Sequence, residues 1–223
     1  MRIPFFTALL LSVSFQAQNL KDFNIPKGYQ KITEIKGDLD KDGKDETVFV
    51  FNTNIKSNSK FDGNNGVVRV LYIIKNNNGK PQIWKENKTL LFSSGTGFYP
   101  KDNSLNIEIK NNTLIVEQQF STNSRHTQTY RHVFRFQNGD FYLIGAHDEF
   151  NDTCDFEFLN EINFSTGKAV IDKKYSSCDD DVKIPDDYYK EFIHPFKPLI
   201  RMNDFRIGEN KIKVPDSDEY LYF

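Results

Sequence analysis

Turn signals punctuate this chain at short intervals, and between them run β-branched and aromatic residues. Residues 67–75 read VVRVLYIIK, then Asn76-Asn77-Asn78-Gly79-Lys80 precedes PQIWKEN. Asn-Gly between two such runs is a strong hairpin signal, because a tight turn that matches strand twist needs positive φ at both central residues. The arrangement recurs. LNIEIK and TLIVEQQF flank Asn111-Asn112, YRHVFRF and FYLIGA flank Asn138-Gly139, and EINF and KAVIDKKY flank Ser165-Thr166-Gly167. Leu105, Ile107 and Ile109 alternate with polar residues, which gives that strand one apolar face. The spacing predicts an all-β fold, an antiparallel meander forming a sandwich or a partly open barrel. At most one short helix is expected, near the C-terminus, over residues 185–193, with Pro185 at its start and Pro195 just beyond it. The strands do not repeat as a motif and no Ser/Gly/Pro-rich linker divides them, so residues 18–223 are expected to form a single β domain rather than a propeller or solenoid.

The first 17 residues carry one positive charge at Arg2, a short apolar run, and Ala17 ahead of a polar stretch. That is the layout of a secretory signal peptide, and the run is too short to span a bilayer. Phe15 occupies a position that prefers a small residue, so the cleavage point stays open. No other stretch is apolar enough over sufficient length for a membrane helix, and the expected location is periplasmic or extracellular. In an oxidising compartment the two cysteines, Cys154 and Cys178, are expected to pair. The formal charge of −2 points to neither nucleic acid nor anionic membrane as partner. Core material is supplied by 21 Phe and 10 Tyr.

The sharpest chemical signal is GDLDKDGKDETVFVF, residues 37–51. Calcium takes six to eight oxygen ligands, and a loop supplies them at alternate positions with a glycine where the chain turns sharply. Asp38, Asp40 and Asp42 hold the first, third and fifth positions, Gly43 the sixth. Lys44 would offer its backbone carbonyl and Glu46 its carboxylate, giving a calcium loop over 38–46. An EF-hand needs a Glu at the twelfth position, and Phe49 stands there instead, within a strand-like run.

The loop resembles the DxDxDGxxD calcium motif of FG-GAP and VCBS repeats, in which the ninth residue is acidic and leads straight into a strand. Here the motif occurs once. With FRFQNGDFYLIG (134–145) and NFSTGK (163–168), the chain also resembles a group of small exported bacterial proteins that combine one such loop with two similar hairpins. That resemblance spans about residues 32–174 and implies fold and export; it supplies no catalytic residue. The glycine-rich segment that precedes the second hairpin in that group departs here, reading Ser94-Gly95-Thr96-Gly97-Phe98-Tyr99-Pro100.

No nucleophile elbow accompanies the four histidines, His126, His132, His147 and His194. His126 and His132 would share a strand face by their even spacing, but the segment between them does not read as one continuous strand. Asp179, Asp180 and Asp181 lack alternate spacing and read as a solvated loop. The expectation is an exported calcium-binding β protein serving as a non-enzymatic binding or interaction module for a protein or glycan partner. The alternatives are an uncharacterised secreted hydrolase, which would place His126, His132 and His147 in one cleft, and a structural envelope component. An exposed aromatic patch using Trp84, Phe98 or Tyr99 would favour the binder.

Overall fold

The computed structural model describes residues 23–58 and 66–223; the expected signal segment lies outside them. Four strands form the first sheet in chain order: β1 (Gln30–Gly37), β2 (Glu46–Lys56), β3 (Val67–Asn77) and β4 (Lys80–Asn87). Seven form the second, also in chain order: β5 (Ser104–Lys110), β6 (Thr113–Ser121), β7 (His126–Gln137), β8 (Asp140–Asp152), β9 (Phe156–Asn163), β10 (Lys168–Tyr175) and β11 (Tyr188–Ile193). A ribbon of β12 (Lys211–Lys213) and β13 (Tyr220–Tyr222) completes an all-β, antiparallel architecture with no closed barrel. The hairpins fall where the turn chemistry put them. Asn78 and Gly79 both have positive φ, as do Asn138 and Gly139, the combination that a tight, strand-compatible turn requires.

The two sheets share one core. Val48, Val50, Leu71 and Ile73 from the first meet Leu114, Val116, Phe134 and Leu143 from the second, and the chain beyond β11 closes over them with Met202, Phe205 and Ile207. The opposite face of the first sheet is also covered. Phe49, Phe51, Val70, Tyr72 and Ile74 form a second cluster under Phe23 and Tyr29. Strands β2 and β3 are therefore buried on both faces, which explains why their sequences run apolar rather than alternating. Each fully buried side chain of this size contributes about 1.5–3 kcal/mol.

Residues 185–193 differ from expectation. They contain no helix; Tyr188–Ile193 is strand β11, at the edge of the second sheet, with Tyr188 opposite Lys173 and Ile193 opposite Lys168. Aromatic and β-branched residues suit a strand, and pairing with β10 outweighs the boundary signals of the two prolines. The expected disulfide is present. Cys154 in the β8–β9 turn joins Cys178 in the β10–β11 connection, 24 residues on, which on the chain-entropy estimate stabilises by about 3 kcal/mol. Among the described residues no helix is long and apolar enough to cross a membrane.

Candidate metal centre

Residues 38–45 form the turn of the β1–β2 hairpin, with Gly37 paired to Glu46 at its base. Gly37 sits against β5: a side chain there would meet Ile109 Cγ2 at 2.7 Å. Only glycine lets the loop start this close to the second sheet. From the same quarter Asn112 Nδ2, in the β5–β6 turn, donates to the Asp38 carbonyl at 2.7 Å. The loop is thus fixed to both sheets.

Within it the carboxylates accept from their own backbone. Asp38 takes the N–H of Lys41 (2.7 Å) and of Gly43 (3.1 Å), and Asp42 takes the N–H of Lys44 (2.9 Å). Positive φ at Lys41 and Gly43 bends the chain back on itself. The result brings together one oxygen each of Asp38, Asp40 and Asp42, all within 4.8 Å of one another, a group that could hold a metal ion. Lys44 and Glu46 stand outside this group. Lys44 is exposed on the loop. Glu46 is buried, 1% exposed, with Oε2 accepting the N–H of Leu39 at 2.8 Å. Burial pushes the Glu46 carboxyl up to about 6.

A residue that no local motif marks is at the centre. Lys75, on β3, directs its ammonium into the loop. Nζ contacts Asp40 Oδ2, lies 3.1 Å from Asp42 Oδ2 and 3.8 Å from Glu46 Oε1, and stands 4.9 Å from the centre of the Trp84 ring. The bond to Asp40 raises the lysine's pKa, and Lys75 in turn holds Asp42 below the usual carboxylate range. A cation is therefore already drawn to the position that the carboxylates surround. Asp40, Asp42 and Glu46 face a single ammonium with Asp38 beside them, leaving three negative charges unbalanced among these five side chains.

The histidines do not assemble. His126 and His132 do lie on one continuous strand, β7, contrary to the sequence reading, but six residues of strand separate them by about 20 Å. His126 Nε2 is 2.9 Å from Asp152 Oδ2, and Asp152 also accepts from Arg125 at 2.6 Å. Burial opposes ionisation of Asp152, but the N–H groups of Cys154 and Asp155 and the Arg125 guanidinium outweigh it and hold the acid at about 2. His132 is fully buried, with neither ring nitrogen hydrogen-bonded among the described residues. His147 faces Glu149 and Glu161, each at 3.3 Å. No cleft joins the three among the described residues. Asp179–Asp181 are exposed in the β10–β11 connection. Of the aromatic residues singled out, Phe98 and Tyr99 are exposed edge-to-face neighbours, whereas Trp84 packs on Phe136 and Phe141.

No protein-family model, curated protein or solved structure matches this chain.

Proposed function

We propose that this chain is an exported calcium-binding β protein, in which one ion locks the 38–46 loop and with it the junction of the two sheets, and that it serves as a non-enzymatic binding or interaction module. The carrying observation is the convergence of Asp38, Asp40 and Asp42 within 4.8 Å. The donor set is all oxygen, with no histidine or cysteine beside it, which suits a hard cation rather than zinc. Calcium fits better than magnesium, because the ligands come from a protein loop at alternate positions rather than from a few carboxylates and water. The divalent ion would displace Lys75 and neutralise more of the surplus charge than one ammonium can. The Lys44 carbonyl and the Glu46 carboxylate are the further donors within the loop.

Export is supported by the Cys154–Cys178 disulfide, which persists in oxidising compartments. The binding-module reading is supported by the placement of the loop. It fixes a hairpin against β5 and the β5–β6 turn and presents no catalytic constellation. Thermal melting with calcium and with chelator tests the calcium reading. The melting temperature is expected to rise by several degrees with calcium in the wild-type chain and to be insensitive in Asp38→Ala. Superimposable melts of the wild type in the two conditions contradict it.

A further inference from the structure

The inner face of β3 carries Arg69, Leu71, Ile73 and Lys75 in alternation; the two aliphatic residues join the shared core and the charged ones lie at its two ends. Lys75 is answered by the acidic loop. Arg69, about 20 Å away along the strand, opens onto a cavity of about 500 Å³. Its walls come from Ser57 and Asn58 just after β2, from β3, from the β4–β5 connection and from the segment before β12. Leu91, Phe92 and Ile207, all buried, supply apolar surface. Arg69, Lys88 and Arg206 place three cations at the cavity against one carboxylate, Glu209.

The pairing of these groups is uneven. Lys88 reaches Glu86 at 2.7 Å. Arg69 donates through Nε to Asn52 Oδ1 at 3.3 Å, and no carboxylate among the described residues pairs with it. Burial alone acts on its pKa, pushing it below the usual guanidinium range. Arg206 is positioned by Nη1, which donates to Thr89 Oγ1, the Asn203 carbonyl and the Phe205 carbonyl at 2.9–3.1 Å. Its Nε and Nη2 have no acceptor among the described residues. Arg69 is half-buried and Arg206 exposed; a half-buried guanidinium without an anion is unfavourable, and the planar fork of either matches an oxyanion of carboxylate, sulfonate or phosphate type. The volume falls in the range of small-molecule sites, which combine apolar walls with a few placed polar groups.

We propose that this cavity binds a small organic anion, with Arg69 and Arg206 receiving the oxyanion and Leu91, Phe92 and Ile207 the apolar body. The proposal rests on the binding-module part of the reading above, to which it gives a ligand class, and not on the calcium loop.

The test is calorimetric titration of the chain with naphthalene-1-sulfonate and with its uncharged counterpart, naphthalene-1-methanol, each in calcium and in chelator. The sulfonate is expected to bind at least tenfold more tightly than the alcohol. Arg69→Met, which keeps the side-chain bulk, is expected to remove that preference, while Arg131→Met on the exposed surface of β7 leaves it intact. On the wild-type chain, methyl resonances of Leu91 and Ile207 are expected to shift saturably with the sulfonate, a readout that does not depend on any variant folding. Absence of binding, equal binding of the two probes, unaltered preference in Arg69→Met, or unshifted Leu91 and Ile207 methyls would each overturn the proposal. Any of these with calcium binding intact removes the cavity reading alone.

Discussion

The two ends of the inner face of β3 solve the same problem in opposite ways. At one end the ammonium of Lys75 meets three carboxylates, at Asp40, Asp42 and Glu46, with Asp38 beside them. At the other, the guanidinium of Arg69 has a single amide oxygen among the described residues. The first end has more negative charge than its own cation can balance. The second has positive charge with no carboxylate partner among the described residues. Charge placed at the rim of an apolar core is costly unless matched, and the mismatch at each end has the sign that a ligand of opposite charge would correct. The contrast explains why an inorganic cation is proposed at one end and an organic anion at the other.

A group in the second sheet with no hydrogen-bond partner among the described residues gives the largest expected effect. His132 is fully buried, stacked on Tyr130 and tilted against Phe205, and burial lowers its pKa to about 3. The folded chain holds this imidazole neutral, whereas the unfolded chain protonates it below about pH 6.5. The unfolded state then binds more protons, so stability falls as pH drops through 6.5 and continues to fall toward 3, by about 1.4 kcal/mol per pH unit and about 4 kcal/mol by pH 3.5. Urea unfolding of wild type and His132→Leu across this range checks it. The variant is expected to gain relative stability steadily as pH falls; parallel curves would show that His132 is not held neutral.

At the acidic end, Asp42→Ala and Asp38→Ala are each expected to weaken calcium binding about 100-fold, about 2.7 kcal/mol, because each removes a charged ligand from a set that has few replacements. Competition with a fluorescent chelator measures this. Lys75→Met cuts both ways. Without calcium it leaves the carboxylates unanswered and is expected to cost about 1 kcal/mol of stability; with calcium it removes the competing cation and is expected to tighten binding about tenfold. Trp84, the only tryptophan, touches Lys75 and would report the ammonium's departure as a change in fluorescence on calcium addition. Unchanged affinity in Lys75→Met would mean that the lysine and the ion do not compete. The smallest effect is expected at the opposite end. Arg69→Met breaks no ion pair among the described residues, so unfolding free energy in the absence of ligand is expected to change by less than about 0.5 kcal/mol. A loss above about 2 kcal/mol would show that Arg69 is already matched within the fold, and the comparison of the two ends would fail.

What was legible in the sequence was what is local in the chain. Asn78-Gly79 and Asn138-Gly139 set their turns through their own φ angles, so the hairpins could be located without knowing what they pack against. The alternation of Asp38, Asp40 and Asp42 is likewise a property of one loop, and the three carboxylates do converge. Lys75 and Asn112 were not legible, because strand register and sheet packing bring them to the loop from 35 and 74 residues away. The cavity at Arg69 is built from four separated segments and has no linear signature at all. Residues 185–193 show the same limit from the other side. The two prolines bounding the segment suggest a helix, but an available edge on β10 decides for a strand. Nothing local marks the segment from His126 to His132 as one continuous strand, yet pairing with both β6 and β8 keeps it extended.

The central claim is that the surplus of carboxylates at the 38–46 loop is a calcium site. Calorimetric titration of the chain with calcium, repeated on Asp42→Ala and Arg69→Met, tests it most directly. The account predicts one saturable site, weakened about 100-fold in Asp42→Ala and unaltered in Arg69→Met. No binding at millimolar calcium, or binding that survives Asp42→Ala unchanged, would contradict it and leave Lys75 as the loop's own and sufficient counter-ion.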